Sequence, residues 1–278
     1  MTFFNSFWTR FYFFLWTLWI GVAYCLFFLR FFPSIYPESL LPEFMDESLP
    51  PVQPPSLLHI LGTDELGRDC LVRLLFGTVN SLNFSLGVTA GIYVVGFAAG
   101  TFMIFFPYPL KLLVSLLVEV SSALPFLPIA LGLSSFFPGN IALIGIVKVC
   151  LGWGTLAQRV RIESETLLES PLFLAAKSQG FSPTRLITHT VFPQLTSLAA
   201  GFFPPLLFSS VLSLTALDFW GLGYPIPAPT LAEGFRQYQE LSEAWWLFAV
   251  PLVVLVFLLT GIRLIQDRWV IKLPPIAY

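Results

Sequence analysis

Few residues in this 278-residue chain have types and spacing fit for chemistry, and the patterns that are missing exclude most reaction classes. Cys25, Cys70 and Cys150 are scattered and odd in number, with no CxxC or zinc spacing, which argues against a disulfide framework or a metal centre. His59 and His189 lie far apart, with no third ligand near either in sequence. There is no Gly-x-Ser-x-Gly elbow, HExxH or Cys/His pair to supply a hydrolytic nucleophile. There is no GxxxxGK[ST] either, so the chain has no phosphate-cradling loop of its own. Two charges fall inside long apolar stretches, Glu119 and Lys148. An ion in lipid is costly and needs a reason. Three readings stay open: the two pair inside a helix bundle, they line a water-filled path, or Lys148 snorkels to an interface.

The elements that must hold these residues are membrane helices. The chain is 56% hydrophobic and only 11% charged, against about 25% charged in an ordinary soluble domain. That much apolar surface exceeds what one water-soluble core can hide, so lipid must be the solvent for much of it. Nineteen glycines and 23 prolines are tolerated more readily in membrane helices than in soluble ones. A net charge of −2 with no basic stripe excludes a nucleic-acid partner.

A bilayer core of about 30 Å needs about 20 apolar residues per crossing. Six stretches qualify, roughly Phe11–Leu29, Leu82–Phe106, Leu110–Phe136, Ile141–Leu156, Leu195–Leu217 and Trp245–Ile265. The first ends in bulky Phe-Phe-Leu-Arg instead of a small-x-small cleavage site, and reads as an uncleaved anchor. The second carries Gly87, Gly91, Gly96 and Gly100, which suit close helix contact. With the amino terminus inside, Arg10, Lys111, Arg159, Arg161, Lys177, Arg185, Arg263, Arg268 and Lys272 fall on the inner side. Only Arg30, Arg68, Arg73 and Arg236 fall outside. This asymmetry predicts both termini in the cytoplasm.

Two water-facing segments invite a functional reading. In His59–Asp69, Thr63 or Asp64 is placed to cap a helix whose leucines share one face, with Asp69 and Arg73 at i,i+4 spacing. The segment reads as a surface helix before the second span, or as a functional element. The segment 157–193 reads as helix, Gly, helix. Pro171 opens the first turn, Leu172 to Ser178 form a short small-faced helix, Gly180 ends it in a left-handed cap, and Ser182-Pro183 opens a helix Thr184–Thr190 leading to Pro193. That shape suits a groove on a partner, or a plain amphipathic connector.

Leu174, Ala175, Ala176, Lys177 and Gly180, followed by Arg185 and Val191-Phe192-Pro193, resemble the Glu-Ala-Ala loop of binding-protein-dependent ABC importer permeases. Leu61–Leu82 resembles the LGTDxxGRDxxSRLLYGxRxSL segment of C-type permease subunits in the dipeptide/oligopeptide/nickel branch, through Gly62, Thr63, Asp64, Gly67, Arg68, Asp69, Arg73 and the residues after them. Gly152-Trp153 to Val160-Arg161, Leu217–Gly223, Leu231-Ala232-Glu233-Gly234, and the pair Glu119 and Pro125 continue the resemblance in order. The sequence departs from the pattern at Leu174, where the family has Glu, and at Asp218, where it has Ser. The family's Pro-Ser-Trp-Gly is replaced by Pro227-Ala228-Pro229-Thr230.

The resemblance implies an all-α integral membrane fold of six helices, the type I ABC importer permease fold. Residues 1–80 would be an anchor, an external loop and an interfacial helix, and residues 81–278 the permease domain with its cytoplasmic loop at about 157–193. It implies a subunit without its own ATPase site in a bacterial inner membrane. Its partners would be a second homologous permease subunit, two cytoplasmic ABC ATPases that hold ATP-Mg, and a periplasmic or external substrate-binding protein. The chain itself would need no cofactor. Peptides are the cargo the branch implies first, with nickel or another small solute as the alternative. An ion-gradient-driven secondary transporter is the reading from a different class, though no inverted repeat supports it.

Overall fold

In lipid every backbone amide and carbonyl must be satisfied within its own segment, so apolar stretches of this length are forced into helices. The computed structural model describes residues 2–30, 41, 51–103, 105, 107–180, 182 and 187–272, and these are helical or irregular with one isolated bridge, Thr63 to Asp69. In order they form α1 (Thr2–Leu29), α2 (Cys70–Phe102), α3 (Tyr108–Ala123), α4 (Phe126–Phe136), α5 (Ile141–Leu168), α6 (Pro171–Ser178), a π-turn (Ile187–Val191) running into α7 (Phe192–Phe219), α8 (Glu233–Glu240) and α9 (Trp246–Lys272). Five of these are long and apolar enough to cross a membrane, and α3 with α4 make a sixth, broken span bent by 78°.

Where the helices differ from the sequence expectation, the cause is local. The third expected span breaks because Pro125 lacks an amide and crowds Leu124 into an extended conformation, φ −78° and ψ 124°. The fourth was expected to stop near Leu156, but α5 runs on to Leu168. Hydrophobicity ends there while helix propensity does not, since Glu163, Glu165 and the leucines continue the helix up to Ser170-Pro171. Among the described residues no separate interfacial helix precedes the second span. Asp69, not Thr63 or Asp64, caps the helix, its Oδ1 accepting from the amides of Leu71 and Val72 at 2.8 and 3.1 Å. From Cys70 onward the helix is unbroken. In place of the expected helix Thr184–Thr190, the π-turn leads into α7, and residues 183–186 lie outside the described residues. The segment between the fifth and sixth spans contains a further short helix, α8.

The chain forms two compact units: residues 1–85, 130–142 and 211–262, and residues 86–129, 143–210 and 263–278. In the first, α1 lays Trp19, Tyr24 and Phe27 against Leu75, Val79 and Phe76 of α2. It is also tied to α9, where Tyr12 donates to the Phe257 carbonyl and Trp16 Nε1 to that of Leu258 at 3.4 Å. In the second, Gly96 and Gly100 of α2 lie directly on α5, where an added Cβ would press on the backbone carbonyls of Trp153 and Ala157. Gly91 meets Val149 in the same way, whereas Gly87 faces open space and takes no part.

Candidate functional site

The second unit positions α6. Ser170 caps the helix, its Oγ accepting from Phe173 N at 3.3 Å, and Pro171 occupies the first turn, where its missing amide costs nothing. Phe173 is the anchor, buried among Leu156, Val160, Leu167, Val191, Leu195 and Ala199, and Ala176 packs beside it one turn later. With that i,i+3 stripe turned inward, Leu174, Ala175, Lys177 and Ser178 are left exposed, Leu174 at 52%. The helix ends at Gln179, and Gly180 follows at φ +83°, with nothing within 4 Å of where a Cβ would stand. Glycine is therefore required here by backbone conformation, not by space. Pro193 lies exposed in the first turn of α7, and Arg185 lies outside the described residues. The polar stretch of α5 leading here is fixed by Lys111 Nζ to Glu165 Oε1 at 2.5 Å and Arg161 Nη1 to Ser115 Oγ at 2.9 Å.

Glu119 and Lys148 are not brought together. Lys148 Nζ stands 4.5 Å from the centre of the Phe126 ring and 3.4 Å from Ser209 Oγ. Glu119 is exposed on α3. Among the described residues no ion pair joins the two.

The first unit gathers Gly62, Thr63, Asp64, Gly67, Arg68 and Asp69 into a buried ion-pair network that sequence spacing did not reveal. Gly62 and Gly67 take φ of +77° and +76°, folding the strand-like ends of the loop onto each other at the Thr63–Asp69 bridge. The Asp64 carboxylate, 2% exposed, accepts from the amides of Leu66 and Arg68 through Oδ1 and holds the Arg68 guanidinium at 2.6 Å through Oδ2. Thr63 Oγ1 donates to the Pro51 carbonyl at 2.6 Å, and the Thr63 carbonyl accepts from Trp246 Nε1 at 3.0 Å. Asp69 pairs with His59 Nδ1 at 2.9 Å, so the expected Asp69–Arg73 pair does not form. Arg73 instead grips Glu233 of α8 with Nη2 at 2.6 Å and Nε at 3.1 Å, and its Nη2 also reaches the Pro227 carbonyl at 3.2 Å. Arg68 and Gln237 approach the same Glu233 carboxylate at 3.4 and 3.3 Å. Glu233 and Gln237 were missed as partners because they stand about 160 residues downstream. The only signal for Glu233 was its place in Leu231-Ala232-Glu233-Gly234. A little further along the same unit, the Tyr224 phenol donates to the Asn80 carbonyl at 3.3 Å. Burial, then the neighbouring Asp218 charge, push that phenol above its ordinary pKa, keeping it a donor.

Set beside known proteins, residues 87–272 match the family described as binding-protein-dependent transport system inner membrane component. The chain is 32% identical over 217 residues to the inner membrane ABC transporter permease protein YejE of Escherichia coli (strain K12), covering 76% of this chain and 64% of that protein. It is 29% identical to the peptidoglycan transport system permease protein YejE of Agrobacterium fabrum (strain C58 / ATCC 33970), covering 74% and 56%. The chain thus spans less than two thirds of the length of these two relatives. It is 30% identical to the di/tripeptide transport system permease protein DppC of Pseudomonas aeruginosa (strain UCBPP-PA14), covering 85% of this chain and 80% of that one. Its fold is similar to that of a chain in the inward-facing MetNI methionine ABC transporter, with a TM-score of 0.57 at 20% identity, covering 72% of this chain and 96% of the other. The family match covers well over half of the chain, and the fold it calls for is the one observed. On both grounds this chain belongs to the family of inner membrane components of binding-protein-dependent transport systems.

Proposed function

We propose that this chain is the permease subunit of an ATP-driven importer of di- and oligopeptides. It forms half of the translocation path with a second, homologous permease subunit in a heterodimer, in a bacterial inner membrane with both termini cytoplasmic. Residues 1–80 act as an anchor with an external segment, and residues 81–278 as the permease domain. ATP-Mg is held and hydrolysed by two cytoplasmic ABC ATPases, the chain having no ATPase site of its own, and cargo arrives on an external binding protein. The names of the di/tripeptide and other peptide relatives support peptides over nickel.

One observation carries this reading: α6 is pinned from behind by Phe173, while its small-residue face at Ala175 and Ser178 is left bare beside the left-handed turn at Gly180. A helix anchored on one stripe and unoccupied on the other is shaped to be a knob in a partner's groove. Closure of the ATPase pair on ATP would move such a knob and switch the permease pair between inward- and outward-open packings. The test is co-purification with the ATPase and cysteine cross-linking from position 178. A cross-link whose yield changes with ATP is expected. Absence of any ATPase adduct, or labelling of this position from the outer face, would refute the proposal.

A further inference from the structure

The loop after α7 closes over a carboxylate that no ion pair among the described residues neutralises and that keeps one oxygen without a hydrogen bond. Helix α7 ends in a paired cap, with Leu222 N donating to the Leu217 carbonyl at 2.9 Å and Gly221 N to that of Asp218 at 2.9 Å, and Gly221 at φ +71°. Asp218 therefore stands in the last turn, at the negative end of the helix, where an anion is disfavoured. It is 5% exposed. Its Oδ1 accepts from Tyr224 N at 3.1 Å, and a Cβ at Gly223 would overlap that same oxygen. Thr230 borders the carboxylate, yet Oδ2, screened from water, accepts no hydrogen bond.

The arginines of the neighbourhood are already taken: Arg68 by Asp64, Arg73 by Glu233, and Arg236 by Glu65 at 3.7 Å. Asp218 is the acid left over. It lines a cavity of about 170 Å³ with Tyr224, Ile226, Thr230, Glu233 and Arg236, room for several waters or the end of one peptide residue. Asp218 and Pro227–Thr230 are also two of the three places where this sequence departs from its family pattern, the third being Leu174 on α6. Those two departures meet at one cavity, which Asp218, Ala228 and Thr230 all line.

We propose that this cavity is a subsite for a primary ammonium, the free amino terminus of a peptide cargo, which donates to Asp218 Oδ2 when the loop 221–228 parts. It rests on the peptide reading above. A cationic donor supplies what the site lacks: charge for a buried carboxylate, and a charge-assisted bond for an oxygen with none.

The test uses the purified complete transporter in nanodiscs of phosphatidylglycerol and phosphatidylcholine. Modification of Asp218 by a hydrophobic carbodiimide is followed by peptide mass spectrometry. Tri-alanine at about ten times its Kd should slow labelling of Asp218 about tenfold, and N-acetyl-tri-alanine should leave it unchanged. Equal protection by the acetylated peptide, protection by sodium or potassium alone, or protection only in nanodiscs containing phosphatidylethanolamine would each overturn the proposal. In cells, with the binding protein unaltered, Asp218→Asn and Asp218→Ser should lower uptake of tri-alanine at least tenfold. Because labelling of the native chain needs no variant, misfolding of either substitution leaves the first test intact. If the native importer carries no peptide at all, the peptide reading fails on that measurement, while amine protection of Asp218 is decided separately by the labelling.

Discussion

Replacing one member of the Arg73–Glu233 pair should cost as much stability as replacing both. Arg73 is 5% exposed and the Glu233 side chain 13%, and three hydrogen bonds of 2.6, 2.8 and 3.1 Å join them. Charge-assisted hydrogen bonds contribute about 1.5–3 kcal/mol each. Arg73→Met removes all three, two of them to the same Nη2, but leaves Glu233 with Arg68 at 3.4 Å and Gln237 at 3.3 Å. The loss then falls near the low end of the 3–5 kcal/mol typical of an orphaned buried charge, about 3 kcal/mol. Glu233→Leu leaves Arg73 with Asp64 at 3.6 Å and the Pro227 carbonyl at 3.2 Å, and should cost a similar amount, about 3 kcal/mol. The double substitution strands neither charge. It should cost about 3 kcal/mol where additivity requires about 6, a coupling of about 3 kcal/mol. Reversible denaturation of the purified protein in mixed micelles, followed by tryptophan fluorescence, measures all four corners of the cycle. Additive losses, or single substitutions within about 0.5 kcal/mol of the native protein, would show that the network is not the buried clamp described here.

Three further outcomes are expected. Gly180→Val places a β-branched residue at φ +83° with no steric neighbour; it should strain the turn by about 1–2 kcal/mol, leave membrane insertion intact and uncouple ATP hydrolysis from uptake, and full transport would contradict it. Exchanging the charges of Glu119 and Lys148 should not restore function lost in either single reversal, since no ion pair joins them and Lys148 instead meets Phe126 and Ser209; rescue in a transport assay would reinstate the pair. Gly96→Leu drives a side chain into the Trp153 carbonyl and Leu156 and should destabilise by about 3 kcal/mol, seen as loss of monodisperse protein in detergent.

Much of this molecule was legible without coordinates because lipid enforces a simple rule. Runs of about 20 apolar residues had to be helices, and Pro171 with Gly180 marked both ends of α6 through local chemistry that acts over a few residues, while the Ser170 cap emerged only in the structure. Helix ends set by lipid depth alone were misplaced, as at Leu156 and Leu82, because backbone propensity carries a helix past the apolar boundary until local chemistry stops it, Ser170-Pro171 after Leu168 and the Asp69 cap before Cys70. Pro125 was visible, but the 78° bend it permits was not.

What tertiary structure alone decided was pairing. Sequence offered Arg73 a partner four residues away in Asp69, and folding gave it Glu233 instead, leaving Asp69 to His59. Local spacing ranks only partners on the same helix. A buried guanidinium, by contrast, must be satisfied by whichever carboxylate the packing of distant segments delivers, since in a low-dielectric interior an unmatched charge costs several kcal/mol. For the same reason the odd acid out, Asp218, emerged only when every arginine around it had been assigned.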